Sequence, residues 1–313
     1  MVTIRHSQIV GVFFYELIYN IGDMKDTTTY LIDFVVPYVN NQDLVWRNTY
    51  IDYCKKHNLH EKIVELLGSR YGGLTFIYDQ LKLVSKNMPW INKIYLLLSN
   101  KEQIIQSLLP PNVEIVYHKD FIPMAFLPTF NSTSIEMFLW NIKGLSEHFI
   151  YANDDMLPIG KLEPSDFFDD DKIKIKWRED VFSPCSTMYA YQCRNNCVSI
   201  AKKLGIKIND TFMLRPVHSF TPMIKSHCKE TWDLMKDLII PKIRVFRTQY
   251  QHNQYIYPLY EYYKYGTFES DIDFLYTELK ADFDMNHQII CVNGERDSKY
   301  IDKYKKEIRQ LCE

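Results

Sequence analysis

After a short apolar run, Phe149-Ile150-Tyr151-Ala152, come Asn153 and two adjacent carboxylates, Asp154 and Asp155. Aromatic and β-branched residues bounded by polar ones read as a buried strand. Two like charges where such a strand surfaces are costly in repulsion and desolvation unless a cation or solvent offsets them. In open α/β sheets, ligands sit at that carboxyl edge. The spacing therefore offers divalent-cation binding beside a ligand crevice, with a strand-end Asx turn as the purely structural alternative. Upstream, Glu136 also has two readings. Thr133 with Glu136 three residues on is a capping-box pattern, and the first turn of the same helix can face the crevice.

The elements that must position these groups alternate along the chain. Leu31 to Val36, Ile94 to Leu98, Val113 to His118 and Phe149 to Ala152 read as strands. Between them, helices are expected around Trp46, Tyr50 and Tyr53, over Leu74 to Lys86, and over a short Glu102 to Leu109 piece. Ile135, Phe138, Leu139 and Ile142 fall at the spacing of one buried helix face that begins at Thr133 and closes near Gly144. This alternation predicts βαβ units: an α/β, Rossmann-like fold with a largely parallel sheet and helices on both faces. Beyond about residue 180 the chain reads as a helix-rich completion, with helices over Thr187 to Leu204, Lys225 to Leu238 and Gln251 to Tyr265, a strand over Gln288 to Val292, and a last helix over Asp297 to Leu311. We expect residues 31–313 to form a single catalytic domain, with a Rossmann-like core over about 31–180 and residues 1–30 an extension of uncertain structure.

Composition narrows the function classes. With 313 residues, 46% of them apolar, the chain can bury a large core. A formal charge of −2 provides no global field for nucleic acid, so any anion site must be local. No Gly-x-Gly-x-x-Gly follows the first strand and no Walker Gly-Lys-Ser/Thr occurs, which weakens dinucleotide-dehydrogenase and P-loop readings. Seven cysteines, an odd number without a short secreted framework, read as reduced thiols in a cytoplasmic protein. Cys193 and Cys197 lack a second Cys/His pair at zinc-finger spacing, and Asp169-Asp170-Asp171 is most simply a solvated loop. The apolar run from Ile9 to Tyr19 is too short to span a bilayer and is interrupted by Glu16.

Several stretches together resemble the Stealth proteins, a family of sugar-1-phosphate transferases. Leu127-Pro128-Thr129-Phe130-Asn131-Ser132, Ile135-Glu136, Gly144 to Glu147, Phe149-Ile150-Tyr151 and Asn153-Asp154-Asp155 resemble the family's longest conserved block in order and spacing. Ile32 to Val35 with Val39-Asn40 and Asp43 is similar to its first block; Met88 to Ile94 and His118-Lys119-Asp120 also match its second. His218 with Pro222 and Lys225 resembles the third block, Arg247 the fourth, and Ile290-Cys291-Val292-Asn293 the tail of bacterial members. Departures occur at Gly73 to Ile77, which lacks an acidic partner, and at Pro37-Tyr38 and Asn41-Gln42.

The resemblance implies transfer of hexose-1-phosphate or N-acetylhexosamine-1-phosphate from a UDP-sugar to a glycan hydroxyl, releasing UMP, in surface polysaccharide synthesis. It implies catalytic roles for Glu136, Asp155, His218 and Arg247, and Mg²⁺ or Mn²⁺ on Asp154 and Asp155. Asp33, Asn40, Asp43, Asn131, Asn153 and Lys225 are the expected substrate-binding positions. Taken alone, a histidine after Pro216-Val217 is more often structural, and Arg247 has a surface salt bridge as its structural alternative. The acceptor is expected to be a glycan or lipid-linked oligosaccharide, compatible with peripheral contact at the inner membrane face. Two alternatives stand beside this: a metal-dependent glycosyltransferase releasing UDP, and a catalytically inactive glycan-binding protein.

Overall fold

The structure is a computed structural model that describes residues 30–67, 76–278, 284–293 and 300–313. The expected extension before residue 30, the start of the helix at Leu74 and the departure at Gly73 to Thr75 lie outside the described residues. Residues Leu31–Glu313 form one compact unit.

Apolar runs become strands and amphipathic runs become helices. In chain order the elements are β1 (Ile32–Pro37), α1 (Leu44–Lys56), α2 (His60–Leu67), α3 (Ile77–Asn87), β2 (Ile94–Leu98), β3 (Val113–Tyr117), α4 (His118–Phe121), α5 (Ser132–Glu136), β4 (His148–Tyr151) and β5 (Met156–Pro158). Next come the hairpin strands β6 (Phe168–Asp169) and β7 (Lys172–Ile173), then β8 (Trp177–Val181), α6 (Met188–Leu204), β9 (Phe212–Pro216), β10 (Thr221–Ile224), α7 (Lys225–Ile239) and α8 (Ile256–Lys264). The last are β11 (Phe274–Thr277), β12 (Ile289–Val292) and α9 (Ile301–Cys312).

The main sheet has the order β10-β4-β1-β2-β3. Its β4-β1, β1-β2 and β2-β3 pairs are parallel, and β10 runs antiparallel to β4. The fold is thus mixed α/β with a largely parallel main sheet. The fifth strand comes from residues past 180, so the second half of the chain closes the sheet begun by the first. β4 and β2 are buried throughout, as strands in the middle of a parallel sheet must be. A principal core joins Val35, Tyr95, Phe149, Tyr151 and Met223 to Trp232 of α7 and Leu259 of α8. A second sheet, β11-β12-β5, carries its own core of Leu157, Ile290 and Val292 packed on Leu83 of α3 and Tyr304 of α9.

Four local expectations change, one of them the helix over Gln251 to Tyr265, which begins only at Ile256. The segment Glu102 to Leu109 forms two 3₁₀ turns rather than one helix, because Ile104 and Ile105 are extended between them. The helix expected from Thr133 to about Gly144 stops at Glu136 and is followed by a 3₁₀ turn at Leu139–Asn141, although Ile135, Phe138, Leu139 and Ile142 are all buried as their spacing requires. Its N-cap is Asn131, not Thr133: Asn131 Oδ1 accepts the Thr133 N–H at 3.1 Å. Gly144 still punctuates the segment with φ near +77°, a conformation that favours glycine, and an added Cβ there would lie 3.2 Å from the Tyr95 hydroxyl.

Candidate active site

Strand direction decides what reaches the site. The carboxyl ends of β1 and β4 share one edge of the main sheet, and β10, being antiparallel, begins there: Thr221 pairs with Tyr151. His218, three residues before β10, is thereby brought against the Asn153-Asp154-Asp155 turn. The turn itself is held from both sides. Gln80 of α3 donates to Asn153 O at 2.7 Å and Met156 O at 2.6 Å, and Val292 N of β12 donates to Asp155 O at 2.8 Å. Because Cys291 pairs with Met156 across the β12–β5 ladder, its thiol lies next to Asp155. One ligand atom each from Asp155, His218 and Cys291 falls within 4.8 Å of the others.

Glu136 belongs to the same site, and its capping role is corrected. Instead of reaching back to the first turn, the buried carboxylate accepts the Gln254 N–H on Oε2 at 3.0 Å, and its Oε1 lies 3.2 Å from the Tyr151 hydroxyl. Tyr151 also reaches Asn153 Oδ1 at 3.1 Å, which turns the Asn153 amide nitrogen toward His218 Nε2, 3.5 Å away. On the other side of the imidazole, Nδ1 lies 3.0 Å from the Tyr255 hydroxyl. With Nδ1–H donating to Tyr255, Nε2 holds its lone pair toward Asn153 and the carboxylates. Tyr189, Tyr255 and Tyr276 surround the ring. Arg247 hydrogen-bonds Ser132 Oγ at the start of α5, attracts Glu136 electrostatically, and keeps a buried Nε–H with no acceptor.

The charges reflect burial. Asp154 is pushed up to about 7, first by burial and then by Asp155 beside it. Asp155 is also raised by burial, with His218 and the weakly donating Cys291 thiol pulling the other way. Burial raises Glu136 against the pull of Arg247, and burial lowers His218 against the pull of Asp155. Asp155 Oδ1 is buried without a hydrogen-bond partner. An orphaned carboxylate oxygen beside a second desolvated carboxylate fits a divalent cation.

The structure therefore brings Glu136, Asn153, Asp154, Asp155, His218 and Arg247 together, and it separates two expected substrate contacts from them. Asp33 is the second residue of β1, not at its carboxyl end. It pairs with Phe149 of β4, two residues before Tyr151, so it sits toward the opposite edge of the sheet, roughly 7 Å along the strand. Its carboxylate is consumed by Asn92 Nδ2, Lys93 N and Ser146 N. Lys225 follows Ile224, which pairs with His148 at that same far edge, and its ammonium caps the carbonyls of Ile142 and Leu145. Asn131 is also engaged structurally. Its side-chain amide donates to Ser134 Oγ, Arg244 O and Gln251 Oε1, clamping the segment that carries Arg247. Asn40 and Asp43 do lie on the loop after the carboxyl end of β1. Asp43 caps α1 through Val45 N and Trp46 N and accepts from Asn100 and Gln103; burial alone would raise it, but these bonds hold it below the usual carboxylate range. Three residues of the site escape sequence reasoning: Tyr151, which looks only like strand filling, Tyr255, one of many tyrosines in an aromatic segment, and Cys291, whose pairing with β5 no local pattern encodes.

Residues 70–176 match the family model described as Stealth protein CR2, conserved region 2. That region contains Glu136 and the Asn153 to Asp155 turn, whereas His218, Arg247 and Cys291 lie beyond it. Among curated proteins, the chain is 36% identical over 153 residues to the capsular polysaccharide phosphotransferase WcwK of Streptococcus pneumoniae, covering 49% of this chain and 44% of that one. It is 30% identical over 218 residues to the capsular polysaccharide phosphotransferase LcbA of Neisseria meningitidis, covering 66% and 57%. The match to the receptor polysaccharide phosphotransferase WefC of Streptococcus gordonii is 36% over 140 residues, covering 45% and 42%. The chain spans about half the length of the curated relatives it matches. A solved galactosyltransferase, LgtC, overlaps 90% of this chain and 95% of its own at 12% identity and a TM-score of 0.39.

Proposed function

We propose that this chain is a Stealth-type polysaccharide phosphotransferase that moves a sugar-1-phosphate from a UDP-sugar to a glycan hydroxyl and releases UMP. The observation that carries this is the convergence, from four separate stretches, of Glu136, Asp155, His218 and Arg247 on one sheet edge, beside an orphaned carboxylate oxygen. The names of its relatives support the same reaction class.

In this reading the acceptor hydroxyl oxygen attacks the sugar-proximal phosphorus while the bond to the UMP oxygen breaks. Its proton passes to His218 Nε2 in the tautomer whose Nδ1–H donates to Tyr255. Arg247, with a free buried Nε–H, holds phosphate oxygens, and Ser132 orients its guanidinium. Glu136 balances Arg247 and, through Tyr151 and Asn153, fixes the side chain that faces the imidazole. Asp154 and Asp155 would hold Mg²⁺ or Mn²⁺, which supplies neutralisation of the diphosphate charge when bound. Among the described residues, no helix is long and apolar enough to cross a membrane. We place the reaction at the cytoplasmic side, with peripheral contact to the inner membrane face where a lipid-linked acceptor is used.

The test is nucleotide release by the purified chain with a panel of UDP-sugars, divalent metal against chelator, and an acceptor glycan. Metal-dependent UMP supports the proposal and names the donor. UDP would make the enzyme a glycosyltransferase, and neither nucleotide with a proven acceptor would favour a glycan-binding protein.

A further inference from the structure

We propose that Asp155, His218 and Cys291 form a binding site for a thiophilic divalent ion of the Zn²⁺ class, separate in chemistry from the oxygen-loving ion of the transfer reaction. A carboxylate oxygen, an imidazole nitrogen and a sulfur lie within 4.8 Å of one another. Three such donors with a fourth position open are a normal zinc complement, whereas Mg²⁺ takes oxygen ligands and has little use for a thiol. Each donor is held in place by a different part of the fold. Asp155 Oδ1 is buried and lacks a hydrogen-bond partner. Tyr255 engages His218 Nδ1, the outer contact that typically fixes a metal-binding imidazole, and Nε2 has only the long 3.5 Å contact to the Asn153 amide to give up. Cys291 is buried in β12, its backbone fixed by the β12–β5 pairing beside Asp155, so the strand position of the thiol is set by the second sheet.

Binding would expel the thiol proton, forming a thiolate–metal bond and releasing one proton per ion to solvent. The ion would also occupy Asp155 and the His218 lone pair at once. If the reaction proposed above holds, such an ion silences it, and Mg²⁺ competes with it only at Asp155.

Co²⁺ reports a thiolate ligand by a charge-transfer absorption and needs no turnover, so the binding test is independent of the transfer reaction. It is run on the full chain carrying Cys185→Ala and Cys312→Ala, which removes the exposed and half-buried thiols. The expected result is one Co²⁺ per chain with a thiolate band, displaced by Zn²⁺ and untouched by millimolar Mg²⁺. Cys291→Ser should abolish the band with unchanged circular dichroism and thermal unfolding. His218→Gln should keep the band but weaken Co²⁺ binding at least ~10-fold, the low end of what even an outer-shell change costs a metal site. This second variant decides the matter if Cys291→Ser fails to fold. Absence of a thiolate band in the parent, a band that survives Cys291→Ser, or unchanged affinity in His218→Gln would each overturn the site.

Discussion

The Tyr151 hydroxyl lies 3.2 Å from Glu136 Oε1 and has a second acceptor, Asn153 Oδ1, at 3.1 Å. A phenol has one proton to give. That one proton can serve either acceptor, so the phenol couples the Glu136 carboxylate, which Arg247 balances, to the Asn153 side chain. Tyr151→Phe should then cut the connection between Glu136 and the Asn153–His218 pair without removing either charge. We expect kcat for UMP release to fall on the order of 10–100-fold, less than the full loss of a general base, with the donor KM little changed. Steady-state kinetics across pH would check it; a change confined to KM would place Tyr151 in substrate binding instead.

Asp154 makes metal binding visible in stability. Its folded pKa of about 7 lies above the ordinary 3.8, so the native state holds this proton more tightly than the unfolded chain does. The sign follows: its contribution is fully present below pH 3.8 and is lost as pH rises through 7. Without divalent ion, this residue pulls Tm down across that window. Mg²⁺ should raise Tm more at pH 8 than at pH 5, and Asp154→Asn should flatten the profile and shrink the Mg²⁺ increment. Differential scanning calorimetry at both pH values gives the answer.

His118 acts with the opposite sign and far from the carboxylate pair in sequence. Burial depresses it from 6.5 to about 4, and its Nε2 is buried without a partner. The unfolded chain therefore binds the proton first as pH falls, and stability present above 6.5 is lost as pH drops through 4. The full effect is about 3 kcal/mol. His118→Leu should remove that part of the acid sensitivity, seen as a shallower fall in urea-unfolding free energy between pH 7 and pH 4.

Asp33 and Lys225 should behave as structural residues. Asp33 accepts three hydrogen bonds at the edge of the sheet remote from Tyr151. Asp33→Asn turns one acceptor into a donor facing donors, at a cost of about 1–3 kcal/mol. Lys225→Met exposes the carbonyls of Ile142 and Leu145 to a smaller loss. Both variants should lower Tm while leaving the donor KM of the folded fraction unchanged. A several-fold rise in KM with unaltered Tm would return them to the substrate site.

The sequence by itself determined the central strands and the longer helices. Unbroken apolar runs such as Ile94 to Leu98 are buried strands because a parallel sheet is covered on both faces. The alternation with helices yields the α/β class, and the placement of Asp154 and Asp155 at a strand's carboxyl end follows from the same local pattern. What it could not determine was direction and partnership between distant strands. Only the antiparallel entry of β10 puts His218 at the edge where Tyr151 ends and sends Lys225 to the other. Only the pairing of β12 with β5 sets Cys291 beside Asp155. For Glu136, local spacing pointed to a capping box, but a buried carboxylate is stabilised more by an arginine and a fixed backbone donor than by one helix N–H. Gln254 N and Arg247, more than a hundred residues away in sequence, therefore set its position. Local patterns record which residues each segment must bury; the charges in this site are matched by partners that meet only when the sheet closes.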